Sequence, residues 1–195
     1  MAQYLNTQAA YSEIENIVNR AEHKLVLISP YIQISRVMLQ KIFHASEHRS
    51  IDVSLVCRKD DIKPEEMAAL NKIERLEVFD LPNLHANCIY NEKAMVITSL
   101  NLFDYTQINN RDMGALITLE KDPAAFMSAV NETEYMMQLA VLLKANMILA
   151  RTRREPVAAG APGFFDIKGG LKQMHGDIKQ TFPTFTRILS HTTLH

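Results

Sequence analysis

The chain has 195 residues, of which 47% are hydrophobic and 22% charged, as is typical of a globular protein with one full-sized core. Its formal net charge of −1 excludes a strong overall positive field, although local basic segments at 57 to 59 and 151 to 154 could still line a groove for nucleic acid. The first residues lack the basic and apolar regions of a signal peptide and no apolar run approaches the roughly 20 residues that span a bilayer, so we expect a cytoplasmic protein without membrane partners.

The first third of the chain alternates helices and strands. Residues 7 to 23 place apolar side chains on one helical face, and Thr7 can cap this helix. The short apolar run 25 to 29 ends at a proline and is typical of a strand buried on both faces. A second helix is predicted over 34 to 47, and the β-branched, alternating segment 51 to 57 predicts a second strand.

The middle of the chain predicts one more helix and three strands. The helix covers 64 to 73, with Pro64 in its first turn, and the strand that follows covers 75 to 81. Two further strands, 85 to 91 and 94 to 99, are joined by a tight turn and predict a β-hairpin.

The last elements complete an α/β domain. A strand is predicted over 113 to 120, and a helix over 123 to 152 carries a stripe of Met, Leu and Ala. The order of elements predicts a mixed central β-sheet with helices on both faces, formed by residues 1 to 150 as a single domain. Residues 151 to 195 are rich in Pro, Gly and Ala and predict a linker and a C-terminal tail, which could contact a protein partner.

Polar residues cluster at one end of the predicted hairpin. His85 and Asn87 are two residues apart, as are Ser99 and Asn101, so each pair points to one face of its strand. Antiparallel pairing would bring the four side chains to one end of the sheet, where such a cluster can hold an anion. Asp112 begins the next strand and could orient the His85 imidazole through a hydrogen bond. The alternative is a strand-end capping arrangement without catalysis.

Neither the cysteines nor the histidines predict a metal site. Cys57 and Cys88 lie on separate predicted strands and form no CxxC pair, which favours two reduced core thiols. His44 and His48 are four residues apart on a helix, but the order of residues is not that of a zinc protease motif. We expect neither a metal nor another cofactor.

The polar residues occur in the order His85-x-Asn87-x4-Glu92, followed by Ser99-x-Asn101. This order resembles a known motif. The pattern is similar to the HKD motif of the phospholipase D superfamily, which is His-x-Lys-x4-Asp followed by Gly/Ser-Ser-x-Asn. The resemblance covers roughly residues 5 to 150, and the segments 27-LISPYI-32 and 109-NNRDMGALIT-118 support it. In size, the chain is similar to the small bacterial nucleases of that superfamily that carry one motif per chain.

The resemblance implies a function and a mechanism. In that family, two motifs face each other across a two-fold axis, one histidine attacks the phosphodiester to form a phosphohistidine, and the other protonates the leaving group. No metal is needed. For this chain, the resemblance implies a homodimer with His85 of both chains in one cleft, and DNA or RNA as partner. It implies that His85 is the nucleophile, that Ser99 and Asn101 contact the phosphate, and that Asp112 orients the histidine.

Three departures from the motif bear on activity. Glu92 replaces the aspartate, and the spacing to the Ser-x-Asn pair is one residue shorter than usual. Asn87 replaces the lysine, and losing one preorganised group of this kind typically lowers a rate by about 10²–10³. Rescue by Lys93, Arg58 or Lys59 remains open. The sequence therefore predicts a nuclease weakened or inactivated by Asn87. The alternatives are a non-catalytic module that binds phosphate or nucleic acid or serves in assembly, and a structural relic without a ligand.

Overall fold

The structure is a computed structural model that describes residues 1–32, 34–100 and 111–152. Its strands are β1 Gln3–Asn6, β2 Lys24–Ile28, β3 Asp52–Cys57, β4 Leu76–Asp80, β5 Cys88–Asn91, β6 Ala94–Thr98, β7 Met113–Thr118 and β8 Val141–Lys144. Its helices are α1 Thr7–Arg20, α2 Arg36–Arg49, α3 Pro64–Leu70, α4 Pro123–Leu139 and α5 Met147–Thr152. Most of the predicted tail, from residue 153 onward, lies outside the described residues. No helix in the described ranges is long and apolar enough to cross a membrane.

The strands form one mixed sheet in the order β1-β7-β6-β5-β2-β3-β4-β8. Its centre is parallel, because β2 pairs in parallel with β3 and β3 with β4, while α2 and α3 make the crossovers between them. The hairpin β5–β6 joins antiparallel to β2. The predicted mixed sheet with helices is therefore confirmed.

Both faces of the sheet are buried, as the alternation along β2 shows. Leu25 and Leu27 pack in a core cluster that includes residues of α1, α2 and α3. Val26 and Ile28 pack on the opposite face in a second cluster with α4, represented there by Phe126. Successive strand residues point to opposite faces, so a run of apolar residues can serve both layers. This confirms the strand buried on both faces that was predicted at 25 to 29, although it covers Lys24–Ile28.

The start of α1 differs from the prediction, because Asn6 and not Thr7 is the cap. The Asn6 side chain accepts a hydrogen bond from the backbone N–H of Ala9 at 2.9 Å, as a helix-capping residue does. Thr7 is the first helical residue, and its hydroxyl bonds instead to the backbone of Asp112 at the start of β7. This hydroxyl thus fixes the start of α1 to the strand end that carries Asp112.

The single helix predicted over 123 to 152 is wrong. α4 ends at Leu139, and Val141–Lys144 form the edge strand β8, antiparallel to β4. The ammonium group of Lys144 donates to the carbonyl oxygens of Ile73 and Leu76, at 2.7 Å each. Pairing with β4 satisfies backbone groups that a free sheet edge would leave unpaired, and this long-range gain overrides the helical preference of Met, Leu and Ala.

β1 was not predicted at all. It has four residues and pairs antiparallel with β7 at the other edge of the sheet. A strand this short shows too little alternation to be recognised in a sequence.

Candidate active site

The candidate site lies at the edge of the sheet where β2 and β3 end and β5 begins. Past the end of β2, the Ser29 N–H donates to the Val56 carbonyl at 3.0 Å, and before β5 the Asn87 carbonyl accepts from Thr98 N–H at 3.1 Å. Neighbouring strands are about 4.8 Å apart. Ser29, Asn87 and Thr98 therefore lie side by side on the neighbouring chains of β2, β5 and β6. They are one residue beyond the paired residues Ile28, Cys88 and Ile97.

His85 lies in the connection that brings the chain from β4 to β5. The predicted strand over 85 to 91 begins only at Cys88, so His85 is in an irregular segment. Leu84 beside it is buried in the core cluster beneath α4, and its N–H donates to the Leu81 carbonyl at 3.1 Å. The His85 side chain is exposed. A buried neighbour thus anchors the backbone while the imidazole remains accessible to a substrate.

Asn87 is buried, with 8% of its surface exposed. Its amide oxygen is 2.8 Å from the hydroxyl of Ser29, which is fully buried. The same hydroxyl is 2.9 Å from the carbonyl oxygen of Tyr31. The amide therefore belongs to a small polar network that replaces the hydration it loses by burial.

Asp112 contacts Ser99, and not His85 as predicted. The Ser99 hydroxyl donates to the Asp112 carboxylate at 3.0 Å and accepts from the N–H of Met113 at 3.2 Å. Among the described residues, none hydrogen-bonds the His85 imidazole. The N–H of Met113, the residue that follows Asp112, also bonds Ser99, so both groups hold the same hydroxyl. Asp112 can thus orient Ser99.

One of the predicted site residues, Glu92, lies away from this edge. Glu92 follows the far end of β5, about 20 Å from His85 along an extended chain. Its carboxylate accepts hydrogen bonds from the N–H groups of Glu22, His23 and Lys24 at 2.9 to 3.5 Å. The role of Glu92 is to hold the connection between α1 and β2. Asn101 lies outside the described residues.

The hydrogen bonds of Glu92 also change its acidity. Burial by itself would raise the pKa of Glu92, but its backbone hydrogen bonds, including those from Glu22, Lys24 and His23, outweigh burial and lower the pKa. A carboxylate that accepts several N–H groups is stabilised in its charged form.

The three cations considered as replacements for the motif lysine have different positions. Lys93 pairs with Glu22 at the Glu92 end of the hairpin, so it is remote from His85. The backbone N–H of Lys59 donates to the Asp80 carboxylate at 2.9 Å, and its side chain is exposed. Arg58 follows β3 on the site's edge, but its guanidinium pairs with Asp61 at 2.6 Å. None of the three side chains forms a hydrogen bond with Asn87 in the described part of the chain.

The side chains of Tyr31 and Arg58 also meet at this edge, a contact that was not predicted from the sequence. The guanidinium carbon of Arg58 is 4.3 Å from the centre of the Tyr31 ring, within the range of a cation–π contact. A side-chain hydrogen bond with Tyr31, and then the hydrogen bond and charge of Asp61, raise the pKa of Arg58. Tyr31 lies within the segment 27 to 32, but the two side chains are distant in sequence and nothing in the pattern indicated their contact.

The cysteines are confirmed as free, buried thiols. Burial raises the pKa of Cys57 and of Cys88 to about 12 in each case. Within the described ranges, no three His, Cys, Asp or Glu side chains form a group that could hold a metal ion.

Comparisons with known proteins identify the fold. No protein family model matches the chain, and no curated protein matches it. Among solved structures, it is similar to Nuc from Salmonella typhimurium, described as a phospholipase D family member, with a TM-score of 0.61 and 14% identity over 74% of this chain and 99% of Nuc. NucT from Helicobacter pylori gives the same TM-score and identity over 73% of this chain and 99% of NucT.

A third similar structure is TrmBL2, described as an archaeal chromatin protein with a novel mode of DNA binding, with a TM-score of 0.53. The likeness, at 14% identity, covers 73% of this chain and 53% of TrmBL2. At these identities the comparisons show the fold alone. The chain therefore has a phospholipase D-like fold, and its activity has to be argued from its own residues.

Proposed function

We propose that this protein is a metal-independent phosphodiesterase that cleaves nucleic acid through a phosphohistidine on His85, and that Asn87 weakens it. The observation that carries the proposal is the position of the exposed His85 on a phospholipase D-like sheet, beside Asn87 and its Ser29 partner. The Ser99–Asp112 pair lies on the other side, where β6 ends and β7 begins.

The chemistry requires two histidines. A ring nitrogen of one His85 attacks the phosphorus, and the bond to the leaving oxygen breaks as a second histidine supplies its proton. Water then attacks the phosphohistidine, gives up a proton to the second histidine, and regenerates the first. Because the motif occurs once in the chain, His85 of a second copy would supply the other imidazole, which makes the active form a homodimer.

The electrostatics of the site explain why the activity should be low. Asn87 is neutral, and the amide oxygen that meets Ser29 is an acceptor, so the developing negative charge on phosphate lacks the cation of the family motif. The 14-residue helix α1 begins beside Asp112 at this edge, and a helix N-terminus carries only a partial positive charge. We expect a rate about 10²–10³ below that of a lysine-containing site.

The second candidate function is a module that binds nucleic acid without cleaving it. The burial of Asn87 and its engagement with Ser29 favour it, because a neutral, internally bonded amide can shape a site without catalysing a reaction. The likeness to TrmBL2, whose description names DNA binding, supports this candidate.

Cleavage and binding measured together test the proposal. Wild-type protein, His85→Ala and the control His44→Ala would be incubated at micromolar concentration with end-labelled single- and double-stranded DNA and RNA. His44 is an exposed histidine on α2, outside the site. We expect slow cleavage by wild type and His44→Ala, and none by His85→Ala. Binding without cleavage in all three would establish the second candidate, and cleavage that survives in His85→Ala would refute the assignment of the nucleophile.

A further inference from the structure

Tyr31 is connected to the candidate active site through one hydroxyl group. Ser29 Oγ lies 2.8 Å from the Asn87 amide oxygen and 2.9 Å from the Tyr31 carbonyl oxygen. The backbone of Tyr31 is therefore within a few ångströms of the motif position. A side chain at Tyr31 can reach a substrate group adjacent to a phosphate held at His85.

The Tyr31 ring is held in place without being buried. The guanidinium of Arg58 lies over one face of the ring, with its central carbon 4.3 Å from the ring centre. Arg58 is itself fixed twice, by Asp61 at 2.6 Å and by its backbone N–H, which donates to the Pro30 carbonyl at 3.3 Å. Yet 42% of the tyrosine remains exposed. The guanidinium orients the aromatic surface and leaves part of it open to solvent.

The charge balance indicates which kind of ligand this surface fits. The Asp61 carboxylate largely neutralises Arg58, so the pair is poorly suited to anchor a phosphate. An oriented aromatic ring backed by a guanidinium is instead suited to stacking, since nucleobases stack on tyrosine rings and on arginine planes whatever their sequence.

We propose that Tyr31 is a stacking platform for an unpaired nucleobase next to the phosphate at His85, with Arg58 and Asp61 as positioning residues. This inference rests on the proposed function and narrows its substrate to single-stranded nucleic acid. In a duplex, each base is already stacked on both sides and paired, so Tyr31 could reach one only after it is extruded from the helix.

The test compares two ligands that differ only in their bases. Fluorescently labelled single-stranded dT10 and a ten-residue abasic sugar-phosphate strand would be titrated with wild type, Tyr31→Phe, Tyr31→Leu and Tyr31→Ala. Tyr135→Ala is the matched control, because Tyr135 is an exposed tyrosine on α4. Tyr31→Leu keeps an apolar side chain without a ring, and thermal melting would verify that each variant is folded.

The expected result is a difference between the ligands that depends on the ring. Wild type, Tyr31→Phe and Tyr135→Ala should bind dT10 about tenfold more tightly than the abasic strand. In Tyr31→Leu and Tyr31→Ala, the two affinities should become equal through loss on dT10 alone. Equal affinities in wild type would overturn the stacking platform and leave nucleic-acid binding standing. Equal losses on both ligands in the variants would also overturn it, and no binding of either ligand by wild type would contradict the proposed function itself.

Discussion

The Ser29 hydroxyl lies between two acceptors, the amide oxygen of Asn87 at 2.8 Å and the carbonyl oxygen of Tyr31 at 2.9 Å. A hydroxyl has one proton and can donate fully to one acceptor at a time, but its oxygen can also accept. A lysine at position 87 would donate to the Ser29 oxygen and leave the hydroxyl proton for Tyr31. The surroundings of Asn87 are therefore chemically compatible with the cation that the motif normally has.

Asn87→Lys should raise phosphodiesterase activity by about 10²-fold or more, because it restores a positive charge where negative charge develops. Binding of vanadate or phosphate should also tighten. Since Asn87 is buried, we expect the larger side chain to lower the melting temperature by a few degrees, within about 5 °C. Initial cleavage rates on single-stranded DNA and RNA, with calorimetric melting, would measure both effects.

Two double variants test whether the added activity of Asn87→Lys depends on His85. Asn87→Lys combined with His85→Ala should be inactive, because nucleophile and general acid are removed together, whereas Asn87→Lys with His44→Ala should keep the full rate. If the lysine variant shows no gain and His85→Ala leaves any activity untouched, the active site is elsewhere and the likeness is one of fold alone.

The active form should be a homodimer with both His85 side chains in one cleft, because the reaction uses two histidines and the motif occurs once in the chain. Light scattering with small-angle X-ray scattering at micromolar concentration should give twice the monomer mass of 22.2 kDa. A cysteine introduced beside the site, as Ala86→Cys, should allow cross-linking between copies by a short bifunctional reagent. A monomer, or a dimer that resists this cross-linking, would contradict the arrangement.

Cleavage should not depend on a divalent metal, since the proposed phosphohistidine pathway assigns nucleophile and acid to imidazoles. The rate of the lysine variant should be unchanged within about twofold after dialysis against EDTA. Loss of activity on chelation, with recovery on adding Mg²⁺, Mn²⁺ or Zn²⁺, would require a different mechanism.

The parts of the fold that follow from local pattern were predictable, and those set by distant partners were not. The run Leu25 to Ile28 is apolar at every position, which fits only an element buried on both faces. By contrast, Val141–Lys144 has a sequence that continues the helical pattern, and only the free edge of β4 makes it a strand.

The candidate site shows the same distinction. Periodicity placed His85, Asn87 and Ser99 at one end of the hairpin, and the structure has them at that edge. The partners of these residues depend on three-dimensional contacts. The sequence does not determine whether Asp112 bonds a histidine or a serine. The pairing of β6 with β7 brings it to Ser99. The contact of Tyr31 with Arg58 likewise results from the pairing of β2 with β3.

Glu92→Gln should destabilise the protein in a pH-dependent manner. Because the folded-state pKa of Glu92 is lowered, its ionised form contributes stability that is fully present above the unfolded pKa, about 4.3, and is lost as the pH falls through the lower folded value. Glutamine keeps one acceptor oxygen but not the charge that strengthens the bonds from Glu22, His23 and Lys24. The carboxylate is partly exposed, so we expect a loss of only about 1 kcal/mol at pH 7.

Urea unfolding of wild type and the Glu92→Gln variant at pH 7 and near pH 3 would measure this loss of stability. The control is Glu132→Gln, on the exposed side of α4. The difference should shrink at the lower pH, which lies below the unfolded pKa and so removes part of the stability that the charged form contributes, and a difference of equal size at both pH values would show that the charge of Glu92 contributes nothing.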